Sequence, residues 1–380
     1  FIARRMVKHH LHTMHRLGIA YDVLPRESDI LALKFWEDAF GLLQDSQAIH
    51  KVEGGKNDGC WVMDLHGAEE GSGEDQKVIV RSNGTVTYVG KDIAYQMWKF
   101  GLLHRDFHYR RLDWSPGDPL YPAWSSCSDE GDPGHPEFGK GHTVYNVIDT
   151  RQSYLQRVVA QGLNSLGHPE EASRSIHFAY EMVALTPAAV QALVPERELS
   201  EEDLSRSYLE MSGRKGLGVK ADDLIDTLVA RATVEVRNRN QDRGDDQVAD
   251  TARRIAVGAL RYYMLRFSRN RVVAFDLDAA LAFEGETGPY LQYSVVRAKN
   301  ILRKVADRFG EEQVQAGALA GIADLNVLEE EALAEHWNLA LMLSRVPAVL
   351  RQAVDSLELA LAAKHARRKA SEGRKKLVVA

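Results

Sequence analysis

Thr143-Val144-Tyr145-Asn146-Val147-Ile148, followed by Asp149-Thr150-Arg151-Gln152, is the stretch that decides the class of fold. The apolar run reads as a buried strand of a parallel sheet, the polar tetrapeptide as a turn, and 153–166 as a helix stopped at Gly167. Strand, turn and helix in that order make an α/β unit. Upstream, 60–65 and 77–81 read as strands flanking a Gly/Glu-rich turn at 67–76, and Arg81-Ser82-Asn83-Gly84-Thr85 is a hairpin signal. Val86-Thr87-Tyr88-Val89 then reads as a strand passing through Gly90 into a helix that starts near Asp92 and runs to Leu103. Gln152 therefore stands in the second unit where Asp92 stands in the first. Ligands collect at such strand exits in open α/β folds. Taken alone, Tyr88 reads better as strand packing and Asp92 as a helix cap.

Further out, 1–17 and the region after Ser28 and Asp29 read as helices, 113–142 as a long loop rich in Pro, Gly, Asp and Ser, and 174–185 as another strand. Between an acidic stretch and the helix-like run from Ala221 lies Glu210-Met211-Ser212-Gly213-Arg214-Lys215-Gly216-Leu217-Gly218. Small residues and two adjacent cations before a helix start make a loop able to close over polyphosphate, although an ordinary solvated turn reads the same way. Beyond 221 strand signals nearly vanish, with a turn at 270–278 and helical patterns over 221–235, 246–267, 288–309, 326–347 and 348–365. The helix 288–309 carries Arg297, Lys299, Arg303, Lys304 and Arg308 with Tyr290 and Tyr293, suited to a phosphate backbone or to a solvated face. The fold class is thus an α/β half followed by an all-helical half.

At 380 residues, 44% hydrophobic and 27% charged, the chain can bury sizeable cores in two or three domains. A net charge of −6 argues against a broadly basic nucleic-acid binder, so any RNA contact rests on local patches. Cys60 and Cys127 offer neither a disulfide framework nor metal-type spacing, and point to a reducing, cytoplasmic setting. His9, His10, His12 and His15 have no acidic or Cys companion and read as a solvated helix face, so no metal-ligating residues are assigned. No apolar run has membrane-spanning length, and no membrane partner is expected.

Three segments together resemble the arginyl-tRNA synthetases, a class I aminoacyl-tRNA synthetase family. Val78 to Ala94 resembles the signature in which a Gly-Thr turn precedes Tyr, three residues and Asp-Ile-Ala; Met211-Ser212-Gly213-Arg214-Lys215-Gly216 resembles a degenerate KMSKS loop; and Phe283 to Tyr293 resembles the junction into the anticodon-binding helices. The resemblance covers about residues 1 to 365. It implies an incomplete Rossmann-like class I catalytic domain over 1–285, with the KMSKS-like loop and stem-contact helices, and an incomplete all-α anticodon-binding domain over 286–380.

The implied function is that of an arginine–tRNA ligase with L-arginine, ATP, Mg²⁺ and tRNA(Arg) as partners; the alternative is a non-catalytic tRNA- or partner-binding remnant. By the same resemblance Tyr88, Asp92 and Gln152 bind the arginine side chain, His177, Met211, Ser212 and Gly213 bind ATP, Ser212, Arg214 and Lys215 are catalytic, and Arg297, Lys299 and Arg303 bind tRNA. Two departures stand out: Glu210 and Gly213 occupy the loop's usual lysine positions, and no HIGH motif is present in these 380 residues. The expectation is that the chain alone supports no arginine-dependent pyrophosphate exchange.

Overall fold

A computed structural model describes residues 2–65, 76–112, 124–211, 218–311, 337–338 and 340–376. The chain divides into two compact units, Phe1–Tyr180 and Glu181–Ala380, so the division read from the sequence at 285/286 lies inside the second unit.

The first unit runs through α1 (Ile2–Arg16), β1 (Val23–Leu24), α2 (Glu27–Ala32), α3 (Phe35–Asp45), β2 (His50–Lys51), β3 (Trp61–Asp64) and β4 (Gln76–Val80). It continues through α4 (Tyr88–Phe100), β5 (His108–Arg111), β6 (Trp124–Cys127), β7 (Val144–Asp149), α5 (Ser153–Ser165), α6 (Pro169–Ser173) and β8 (Ser175–Tyr180). Strands β2, β3 and β4 form an antiparallel sheet, β6 lies between β1 and β5, and β7 pairs with β8 in parallel.

Three sequence expectations change here. The run Val86 to Val89 is not a strand: Val86 makes an isolated bridge to Val80, and α4 begins at Tyr88. Its β-branched residues favour a strand, but Val89, Ile93, Ala94 and Met97 recur at helical spacing and are all buried, and tertiary packing outweighs local preference. Tyr88 is therefore the first residue of a helix, and Asp92 sits in its second turn. Second, the loop expected over 113–142 contains β6, whose Ser125 and Ser126 are buried. Their hydroxyls are satisfied by the Leu24 carbonyl (3.3 Å) and by Asp29 (2.5 Å), so a strand without apolar alternation is stable there. Third, β7 is covered on one face only, since Tyr145 and Val147 are 51% and 63% exposed.

Around α4 a single core gathers Phe35, Trp36, Ile79, Val89, Ile93, Met97, Trp98, Phe107, Tyr109, Val158, Val159 and Leu163. Each such side chain contributes roughly 1.5–3 kcal/mol by burial. Gly90 lets α4 pass under Trp36, whose ring would lie 2.8 Å from an added Cβ.

The second unit contains β9 (Val183–Leu185), α7 (Pro187–Leu193), α8 (Glu201–Ser205), α9 (Ala221–Arg239), α10 (Asp245–Leu265), β10 (Val273–Phe275), α11 (Leu277–Leu281), α12 (Gly288–Phe309) and helices Val346–Asp355 and Ala360–Lys376. The segment 174–185, read as one strand, is split between β8 and β9. The turn expected at 270–278 contains β10, paired in parallel with β9. Helix α12 crosses α10 at Gly288, where an added Cβ would lie 2.6 Å from the Gly258 carbonyl oxygen. Thr287 caps α12 through the Tyr290 amide (3.3 Å), and Arg367 reaches back to Glu286 (2.5 Å). Among the described residues, no helix is long and apolar enough to cross a membrane.

Candidate functional site

Helix α4 is set on β4 at its first turn. Thr87, at the N-cap position, donates its hydroxyl to the carbonyls of Val78 (3.1 Å) and Ile79 (3.0 Å) and so anchors Tyr88 instead of capping the helix. Tyr88, Asp92, Tyr95, Gln96 and Lys99 follow at intervals that place them on one side of the helix. That side passes from open to closed: Tyr88 is 54% exposed and Asp92 exposed, Tyr95 and Lys99 are half-buried, and Gln96 is buried.

The closed end is a polar joint with the parallel strands. Gln96 Nε2 donates to Ser175 Oγ on β8 (2.9 Å), and Lys99 Nζ donates to Asn146 Oδ1 on β7 (2.9 Å) and to Gln96 Oε1 (3.3 Å). The ammonium also lies 4.5 Å from the Tyr95 ring centroid. Because the Gly141 amide, ahead of β7, donates to the Lys99 carbonyl (2.7 Å), the last turn of α4 lies against the entrance of the strand. The last turn of α4 is thus tied to the entrance and middle of β7, and Tyr88 and Asp92 stand about three and two turns back along the helix from that joint.

At the exit of β7 Asp149 accepts from the Arg151 amide (2.8 Å) and from its guanidinium at Nε (2.8 Å) and Nη2 (2.7 Å), closing the single 3-10 turn Thr150–Gln152. These hydrogen bonds hold the Asp149 carboxyl down at about 2. Gln152 is exposed at the N-cap position of α5, and its amide does not cap that helix. His177 on β8 sits beside the same exit, with Nε2 2.9 Å from the Ile148 carbonyl oxygen.

The electrostatics of α4 suit a cationic guest. The protein packed about the stem of Asp92 raises its carboxyl above the ordinary range, Glu27 adds to that, and Lys99 and Lys91 oppose it. An arriving cation favours the ionised carboxylate that this surrounding disfavours. Lys99 is pushed down to about 8 by burial, with Asp92 pulling the other way.

In the second unit, Leu209 bridges to Leu185 of β9 (amide to carbonyl, 2.8 Å) and half-buried Met211 follows. Ser212, Gly213, Arg214 and Lys215 lie outside the described residues. Helix α9, after them, has Asp222 and Asp223 in its first turn, so its positive end already meets carboxylates of its own chain. The end of that helix alone offers little to a phosphate.

On α12, Lys299 and Arg303 are exposed, Arg303 reaching Asp307 at 3.4 Å, and Arg297 is half-buried. Among the described residues no group of three or more His, Cys, Asp or Glu side chains is placed to hold a metal ion.

Sequence reasoning missed the joint of Gln96, Lys99, Asn146 and Ser175. The signals were an Asn inside an apolar strand and a Lys seven residues after Asp92 on the same helical side.

No family model matches the chain. It is 35% identical over 341 residues to the arginine–tRNA ligase of Thermus thermophilus, covering 90% of this chain and 52% of that protein. To the arginine–tRNA ligase of Pyrococcus furiosus it is 32% identical over 372 residues, 97% of this chain and 54% of that one. The solved Thermus thermophilus arginyl-tRNA synthetase superposes with a TM-score of 0.76 at 29% identity, over 96% of this chain and 54% of the other. The chain thus spans about half the length of the relatives it matches.

Proposed function

The chain belongs to the arginyl-tRNA synthetase family, and from that premise we propose that it serves the ATP-dependent activation of L-arginine and its transfer to the 3′ end of tRNA(Arg). The observation carrying this reading is the open end of α4. There Tyr88 and Asp92 stand one turn apart at the exposed end of a helix whose last turn is hydrogen-bonded to β7, the strand that leads into Gln152.

A guanidinium is planar, permanently charged and presents five donors. Asp92 supplies the counter-charge, and Tyr88 and Gln152 supply neutral oxygens at the rim. Lysine's ammonium, a point charge with three donors, fits such an array less well. With the side chain held, the arginine carboxylate is free to attack the α-phosphorus of ATP, releasing pyrophosphate. The ribose hydroxyl at the end of tRNA then displaces AMP from the adenylate. No covalent enzyme intermediate is needed; catalysis is positioning and stabilisation of phosphate charge.

In this reading Ser212, Arg214 and Lys215 serve the phosphates, His177, Met211 and Gly213 bound the nucleotide, and Arg297, Lys299 and Arg303 meet the tRNA backbone. Mg²⁺ would reach the reaction with ATP; the described carboxylates do not form a site for it, and none is assigned to the ion. The proposed arrangement is an incomplete Rossmann-like catalytic domain over 1–285 and an incomplete anticodon-binding helical domain over 286–380, working in the cytoplasm.

Calorimetric titration of the chain with L-arginine, L-lysine and L-ornithine tests the pocket. Saturable binding of arginine, with lysine and ornithine weaker by about tenfold or more, is expected. Equal binding of all three, or no binding of arginine, removes the assignment.

A further inference from the structure

We propose that Lys99 is a positioning residue for the arginine pocket: through Asn146 it fixes the distance between Tyr88 and Asp92 on α4 and Gln152 beyond β7. The inference rests on the pocket reading above and extends it to residues that do not touch the substrate.

The two sides of the pocket are borne by different elements. One side belongs to a helix, the other to the turn after a strand, and they are held together at the far end of the helix by hydrogen bonds from Lys99 Nζ to Asn146 Oδ1 (2.9 Å) and from Gln96 Nε2 to Ser175 Oγ (2.9 Å). The third contact, Lys99 Nζ to Gln96 Oε1 (3.3 Å), links the two bonds into one unit. Asn146 and Gln96 are 6% and 2% exposed, so these bonds are made away from bulk water, where losing one partner leaves the other unsatisfied.

Apolar packing alone does not explain Lys99. A Leu or Met in its place would fill the same space without desolvating an ammonium, and burial already draws the Lys99 proton affinity far below its ordinary range. A polar bond is directional where an apolar contact slides. Gln152 stands six residues beyond Asn146, three along β7 and three through the 3-10 turn, so a shift of β7 against α4 moves that turn with it.

The test compares Lys99→Met, Lys99→Arg and Asn146→Leu with the unaltered chain. It uses two readouts, calorimetric L-arginine affinity and hydrogen–deuterium exchange of backbone amides 147–152. Lys99→Met and Asn146→Leu are each expected to weaken arginine binding by about tenfold, and the double variant by no more than either single one, because both cut the same link. Lys99→Arg should recover most of the affinity, since a guanidinium still donates to Asn146. Amides 147–152 should exchange faster in both single variants. Unchanged affinity where the unaltered chain binds arginine, additive losses in the double variant, or unchanged exchange each overturn the inference. If the unaltered chain binds no arginine, the pocket reading falls on its own. The exchange readout still decides whether Lys99 fixes the exit of β7.

Discussion

Helices α4 and α12 both carry charge for which a partner is proposed above, but they are built in opposite ways. On α4 the charged and polar side chains run from the open Tyr88 and Asp92 to the closed Gln96 and half-buried Lys99, and these last two bond to neighbouring strands. On α12 Lys299 and Arg303 stand exposed, and the ion pair Arg303 makes is with Asp307 one turn along its own helix. The difference matches the two proposed guests. A small cation must be told from close analogues by the placement of a few atoms, which requires rigid supports. A polyanion is held by charge density, which tolerates mobile side chains and is screened by salt.

The largest effect should come from Asp92→Asn. It removes the one counter-charge while keeping shape, and loss of arginine affinity by on the order of 100-fold is expected, the lower range for breaking a desolvated ion pair because the carboxylate is open to solvent in the free protein. Melting temperature should hardly move. If calorimetry finds arginine binding intact in this variant, α4 has no more to do with a cation than α12 has.

Next in size is Gly288→Val, a lesion confined to the second unit. Its side chain would meet the backbone of α10 at Gly258 and Ala259, so α12 must shift at a cost of about 1–3 kcal/mol. Denaturant unfolding of the second unit should register that loss while arginine affinity is unchanged. A fall in arginine affinity would show that the two helices are coupled, and the contrast between them would need revision.

A milder change is expected from Lys299→Ala or Arg303→Ala. Each should weaken tRNA binding a few-fold at physiological salt and lower the slope of log affinity against log salt by about 1, with no dependence on tRNA sequence. Filter binding across a salt series reads this directly. An unchanged slope would make those residues ordinary solvated charges.

These contrasts were unequally legible in the residues. The unit from Thr143 to Gly167 and helices α9, α10 and α12 were readable because each carries an apolar repeat of its own. Strand β6 was not, because Ser125 and Ser126 owe their burial to partners about 100 positions away, and a three-residue strand such as β10 has no room for a periodic signal. At the candidate site, Tyr88, Asp92 and Gln152 could be named from local motifs. Tyr88 was nevertheless set on a strand, because Val86, Thr87 and Val89 favour extended backbone and only the core under Trp36 reverses that preference. The pairing in the Lys99 joint could not be read, since one half lies on α4 and the other on strands some 50 and 80 residues further on; Asn146 in its apolar strand and Lys99 on the Asp92 side of α4 were legible only one by one.

The smallest expected effect bears on whether the support of α4 is buried as firmly as the contrast requires. Lys99 titrates near 8 in the folded chain against an ordinary value of 10.5. Below about pH 8 both folded and unfolded chains hold the proton, and the folded state carries a constant desolvation cost. Between 8 and 10.5 the folded chain has released a proton that the unfolded chain still binds, so this group's contribution makes stability rise with pH. Other groups pull the opposite way: burial raises the Cys127 thiol above its ordinary range and Tyr95 to about 12, so each keeps a proton in the folded state that the unfolded chain gives up at lower pH. Total stability therefore hides the Lys99 contribution, and the difference between the unaltered chain and Lys99→Met isolates it. Unfolding in urea at pH 7.5, 8.5 and 9.5 should give a difference that moves steadily in favour of the unaltered chain as pH rises. A difference constant with pH would mean that the ammonium is hydrated like those of α12, and the rigidity ascribed to α4 would have to come from its apolar side alone.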